Sequence, residues 1–211
     1  MTFHPIDLSG WPRQEYFEHY LQTVPCTWSA TVPLDVSALG DAPLYPALLW
    51  AITGAVNAVP EFRTALRDGV VGIYDHMHPA YTVLDKESKR FSSIWTPYSA
   101  DFSEFLAHYR QDVAQYGSSG RLFPKEGQPD NCFDVSMAPW LDFTAFNLNL
   151  YDSRNYTLPI FTLGKAEMRD GRRILPLAIQ VHHAVCDGWH AGLFVEHLRN
   201  ILQQTDWRNT K

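Results

Sequence analysis

Two histidines close an apolar run near the C-terminus, in His182-His183-Ala184-Val185-Cys186-Asp187-Gly188. Asp187 and Gly188 stand four and five residues after His183. An imidazole with an ordinary pKa of ~6.5 is largely neutral at pH 7 and can take a proton from an attacking hydroxyl. A carboxylate close by can hold the backbone that carries it. General-base catalysis from His183 is therefore the chemistry this run suggests. For an isolated histidine, a satisfied core residue at a strand end is the better explanation. Ser136, in Val135-Ser136-Met137-Ala138-Pro139-Trp140, offers a hydroxyl without the Gly-x-Ser-x-Gly elbow of a nucleophile. His76-x-His78 lacks an evident third ligand. His183, Asp187 and His190 could in principle hold zinc, but His183 and Asp187 are accounted for without it, so no metal is expected. There is no P-loop, dinucleotide glycine fingerprint or Cys-x-x-Cys.

The elements around the run must present it. Leu175 to Val181 reads as a buried strand, and Trp189 to Leu202 as an amphipathic helix. A strand–turn–helix holds a reactive side chain on a rigid scaffold. Arg13 to Thr23 predicts a short helix with Tyr16, Phe17, Tyr20 and Leu21 on one face. The apolar stretch Leu44 to Val59 is shorter than the ~20 residues of a bilayer span and reads as a buried helix, with Pro46 early and Pro60 as a stop. Asp101 to Tyr116 predicts a third helix, N-capped by Asp101 and stopped at Gly117. Strands are expected at Thr27–Val32, Val70–Tyr74, Tyr81–Leu84, Phe91–Trp95, Cys132–Ser136, Phe143–Asn149, Ile160–Lys165 and Ile174–Val181. Gly117 to Asn131 is the best long loop. Interleaved strands and helices imply an α/β layered fold with one mixed sheet. Nothing marks a domain boundary or a repeat, so residues 1–211 are expected to form a single domain.

The chain has 211 residues, 45% hydrophobic and 14% aromatic, enough for a large core. Charged residues are only 19%, which mildly favours an oligomer with buried faces. A net charge of -6 argues against a general nucleic-acid partner. Met1 to Gly10 has neither a basic start nor an apolar run, and no membrane partner is expected. Three cysteines, Cys26, Cys132 and Cys186, suit reduced thiols in a cytoplasmic protein better than a disulfide framework.

Val181 to Gly188 resembles the C-terminal signature of the trimeric chloramphenicol acetyltransferases. Further segments are similar to the family, in family order: Trp11-Pro12-Arg13-Gln14-Glu15-Tyr16-Phe17-Glu18, Pro60-Glu61-Phe62-Arg63, His78-Pro79-Ala80-Tyr81-Thr82-Val83, Phe91-Ser92-Ser93, Val135 to Trp140, and Phe146-Asn147-Leu148-Asn149. The likeness runs roughly from Asp7 to Leu202. It implies a two-layer α/β sandwich with a mixed sheet, of the CoA-dependent acyltransferase type. It implies acetyl transfer from acetyl-CoA to the 3-hydroxyl of chloramphenicol in a ternary complex, giving antibiotic resistance. A homotrimer with sites at subunit boundaries is implied too, with His183 facing a pocket supplied largely by the neighbour.

The resemblance also suggests roles. His183 is the general base, with His182 structural. Asp187 pairs with Arg13 and pins the turn. Ser136 donates to the oxyanion, and Thr162 reaches the same region through water. Tyr20, Val24, Cys26, Trp28, Phe146 and Leu148 match acceptor-pocket segments, although core packing alone explains each of them. Lys165 is the one CoA contact suggested. The chain departs from the pattern at Trp28, where relatives tend to carry Phe or Tyr, and at Trp189, where Phe follows the Asp-Gly. Three alternatives stay open. One is the same fold acting on another small hydroxylated acceptor. Another is a drug- or CoA-binding module without turnover. A dihydrolipoyl acyltransferase core is the third, disfavoured because no lipoyl domain or Ala/Pro linker is present.

Overall fold

The computed structural model describes residues 2–150, 156–204 and 206–208. In chain order the elements are β1 (Phe3–Pro5), α1 (Gln14–Glu18), β2 (Thr27–Asp35), α2 (Leu44–Ala58), β3 (Thr64–Arg67), β4 (Val70–Tyr74), β5 (His78–Leu84), β6 (Phe91–Trp95), α3 (Phe102–Tyr116), β7 (Cys132–Met137), β8 (Ile160–Leu163), β9 (Glu167–Arg169), β10 (Arg172–His182) and α4 (Gly188–Gln203). The main sheet has the order β2-β10-β8-β7-β5-β6, with β9 added to β10. Pairs β5–β7 and β7–β8 are parallel and the rest antiparallel, so the sheet is mixed as expected.

One expectation fails here: the sheet is not alone. A small antiparallel sheet, β1-β4-β3, stands beside it. Its two extra strands are three and four residues long. Runs that short carry too little alternation to be read as strands.

A second correction concerns Phe143–Asn149, which makes no ladder pairing. The alternation in Phe146-Asn147-Leu148-Asn149 is strand-like. However, β10, the strand beside it, is already paired on both edges by β2 and β8. The segment instead passes near β10, and the Gln180 side chain accepts the Leu148 N–H at 2.9 Å. The predicted helix over Arg13–Thr23 is also divided. It is α-helical through Glu18 and a π turn over His19–Thr23. Such π turns often sit at functional sites.

β10 explains why His183 is held so firmly. Its residues Leu175 to Val181 are buried, and it pairs with β2 from Ile174 opposite Asp35 to His182 opposite Thr27. One sheet face carries Phe161, Leu163, Ile179 and Val135 into the core. Phe62, Phe161 and Phe194 stack there, with centroids 4.7 Å apart for Phe62–Phe194 and 5.0 Å for Phe161–Phe194. Each such pair adds ~0.5–1.5 kcal/mol beyond area burial. Phe194 comes from α4, so the helix that follows the catalytic turn is anchored directly to the sheet. α2 is buried along most of its length, from Pro46 to Val56. Asp101 caps α3 by accepting from Ser103 N and Glu104 N, as predicted.

Candidate active site

His183 is the first residue past β10, and its N–H donates to Cys26 O at 3.0 Å, which prolongs the β2 ladder by one rung. Val185 N and Cys186 N both donate to His182 O and close the turn. Asp187 then caps α4, its Oδ1 accepting from Trp189 N at 3.1 Å. A buried strand, a tight turn and a capped helix thus fix His183 from both sides.

The Asp187 side chain meets Arg13, with Nη1 donating to Oδ2 at 2.7 Å. A second guanidinium nitrogen, Nη2, reaches His183 O at 3.4 Å. Burial alone pushes the Asp187 carboxyl up. The Arg13 hydrogen bond, the charges of His190 and Arg13, and the Trp189 N–H outweigh it and hold the carboxyl below its usual range. Asp187 is therefore a fixed anion whose partner is an arginine, and it is not placed to relay protons.

Tyr20, delivered by the π turn, stacks on the His183 ring with centroids 3.9 Å apart at 12°. Trp28 stands edge-on at 6.5 Å. The His183 Nδ1 is buried without a partner, which leaves Nε2 as the accessible nitrogen. Cys26 lies next to this turn and Val24 is exposed. No thiol here is poised as a nucleophile. Burial raises Cys26 and Cys186, and pushes Cys132 up to about 12.

His182 has a different fate. Its Nδ1 accepts from Ala184 N at 3.1 Å and its Nε2 is buried without a partner. Burial, then the neighbouring His183, push its pKa down to about 4. The folded protein thus keeps His182 neutral, whereas the unfolded chain protonates it near pH 6.5. Stability conferred by the neutral ring is present above pH ~6.5 and falls as pH drops toward 4, by up to roughly 3 kcal/mol for a shift of this size. Denaturant midpoints should decline over that window. In His182→Asn, which keeps an acceptor for Ala184 N–H, the decline should be shallower. An unchanged slope in that variant would reject the assignment.

Ser136 and Thr162 form a second group. They face each other across the parallel pair β7–β8, their hydroxyls 3.1 Å apart. Phe146 and Leu148 lie with Thr162, Ala178 and Gln180 around a small cleft. Within one chain this group is far from His183. Thr162 is opposite Ala178, five residues before His183. At ~3.3 Å per residue along the strand and ~4.8 Å per strand across, Ser136 and His183 are separated by roughly 15–20 Å. A proton transfer needs ~3 Å. One chain therefore carries two half-sites: His183, Tyr20, Cys26 and Trp28 in one, Ser136, Thr162, Phe146 and Leu148 in the other.

Lys165 is half exposed, and its ammonium donates to Glu167 at 2.8 Å. Among the described residues, no group of three or more His, Cys, Asp or Glu side chains could hold a metal ion. No described helix is long and apolar enough to cross a membrane.

A family model described as chloramphenicol acetyltransferase matches residues 1–199. The chain belongs to the chloramphenicol acetyltransferase family. A chloramphenicol acetyltransferase of Clostridioides difficile is 48% identical over 205 residues, 96% of this chain and 97% of the relative. One from Vibrio anguillarum is 47% identical over 206 residues, 96% and 95% of the two chains. A solved chloramphenicol acetyltransferase structure superposes with a TM-score of 0.84 at 25% identity, covering 95% of this chain and all of that one. The fold is that of the acyltransferase family, as the resemblance implied.

Sequence reasoning gave His190 and Glu61 no part in an acyltransferase site. His190 is the third residue of α4, and its Nδ1 accepts the Asp187 N–H, completing a reciprocal cap. Its Nε2 lies 3.5 Å from Glu61. The usual signal for such a cap is Glu or Gln three residues after the N-cap; a histidine there hid it.

Proposed function

We propose that this protein transfers the acetyl group of acetyl-CoA to the 3-hydroxyl of chloramphenicol and so inactivates the antibiotic. His183 Nε2 takes the hydroxyl proton as the oxygen attacks the thioester carbonyl. Ser136 donates to the oxyanion of the tetrahedral intermediate, and Thr162 supports that region through water. As the intermediate collapses the C–S bond breaks, and His183 returns the proton to the leaving thiolate. Arg13 and Asp187 hold the turn. Tyr20, Val24, Cys26, Trp28, Phe146 and Leu148 line the acceptor pocket, and Lys165 contacts CoA. Three free cysteines suit a cytoplasmic location.

The observation that carries this reading is the His183 turn: an accessible imidazole nitrogen on a ring stacked against Tyr20, on a backbone fixed by Arg13 and Asp187. The separation of Ser136 from His183 supports the homotrimer. If the half-sites of adjacent copies face each other, the serine of one meets the histidine of the next, and a cyclic trimer closes three such sites.

The test is release of free thiol from acetyl-CoA with chloramphenicol present. Wild type should release thiol, and Ser136→Ala should lower turnover by ~10²–10³, as for other single oxyanion donors. No release by folded, trimeric wild type would reject chloramphenicol as the acceptor. A panel of other small alcohols would then address the reading that Trp28 reshapes the pocket for a different substrate.

A further inference from the structure

The peptide joining Cys186 to Asp187 is held at both of its polar atoms by side chains from outside the turn. Its carbonyl accepts the Trp28 indole N–H at 3.1 Å. Its N–H donates to His190 Nδ1, also at 3.1 Å. Trp28 comes from β2, opposite Val181 in register, and His190 from the first turn of α4. Two rings from two elements thus fix one peptide plane three residues after His183. That plane also aims the Asp187 carboxylate at Arg13, and Arg13 in turn reaches the His183 carbonyl.

The protonation of His190 follows from its neighbours. Its Nδ1 is also 3.0 Å from Asp187 Oδ1. That oxygen already receives the Trp189 N–H, whereas the Asp187 N–H has no other acceptor among the described residues. Nδ1 is therefore the acceptor, and the ring proton sits on Nε2, toward Glu61. Phenylalanine at position 28 would fill much of the same space but could not donate. The extra bulk of tryptophan here brings a hydrogen bond that a phenylalanine in its place could not make.

We infer that Trp28 and His190 are positioning residues that clamp the Cys186–Asp187 peptide, and that this clamp sets the direction of the His183 imidazole for proton transfer. Neither acts on the reacting atoms through the clamp. Both work through the turn, so their loss should be felt in kcat more than in substrate affinity. The rate readout rests on the acetyltransferase reading above; the exchange readout below does not.

The experiment compares Trp28→Phe, His190→Ala and His190→Asn with wild type. The asparagine carbonyl can restore an acceptor near the Nδ1 position. In the first two variants kcat for acetyl transfer should fall about tenfold, because small misplacements of a catalytic group carry penalties of that order or more. KM for acetyl-CoA should stay within about twofold, and His190→Asn should recover most of the loss. The double variant should lose less than the product of the two single losses, because both residues hold one peptide. Hydrogen exchange of the Asp187 amide gives an independent readout. It should accelerate in His190→Ala and be protected again in His190→Asn. Wild-type kcat in Trp28→Phe together with unchanged Asp187 exchange in His190→Ala would overturn the clamp. If wild type fails to acetylate chloramphenicol but the exchange pattern holds, the acceptor assignment fails and the clamp stands. If His190→Ala does not fold, Trp28→Phe and His190→Asn still decide the matter.

Discussion

His183→Ala lowers acetyl transfer by ~10²–10⁴-fold, the range that a positioned general base contributes. The loss should appear in kcat and kcat/KM alike, since the imidazole acts on the proton as it leaves the acceptor. Stability should change little. His183 is only partly buried, its N–H bond to Cys26 belongs to the backbone, and the Arg13 contact is to its carbonyl. Only the stack on Tyr20 is lost. Thiol-release kinetics and a melting curve on the same preparation check both halves. A folded variant that keeps more than a tenth of wild-type turnover would assign the base to another group.

Asp187→Ala should be damaging in a different way. Alanine leaves Arg13, whose side chain is 13% exposed, without its anion. It also removes the acceptor for Trp189 N–H at the head of α4, a cap of ~1 kcal/mol. Breaking one partner of a buried pair costs ~3–5 kcal/mol, and the lower end applies because the Asp187 side chain is 32% exposed. In a protein of this size that corresponds to a fall of roughly 6–12 °C in Tm. Activity should fall further than in Ser136→Ala, because the turn loses its anchor. A variant with unchanged Tm but lost activity would point to a direct chemical role for Asp187, contrary to its pairing with Arg13.

Much of this was legible along the chain, and the particular failures have physical causes. β10 and α4 could be read because one is a continuous apolar run and the other a periodic one. The Arg13–Asp187 meeting was reached only through resemblance, since nothing local joins residues 174 positions apart. Phe143–Asn149 was misread because alternation measures how side chains would face, not whether an unpaired strand edge lies beside them. Strands β1, β3 and β9 are too short to carry a pattern. The clamp on the Cys186–Asp187 peptide was invisible because a backbone carbonyl and N–H leave no mark on the sequence. The distance between Ser136 and His183 became measurable only once strand order and register were known.

That distance leads to the most direct test of the central claim, that a base from one copy works with an oxyanion donor from the next. His183→Ala and Ser136→Ala proteins, each nearly inactive alone, are unfolded together in equal amounts, refolded, and assayed for thiol release. If every site combines His183 of one copy with Ser136 of its neighbour in a cyclic trimer, random mixing leaves about a quarter of the sites intact. About a quarter of wild-type activity should therefore return. If the mixture recovers no more than the average of its two parents, both groups act from one chain, and the divided site is wrong.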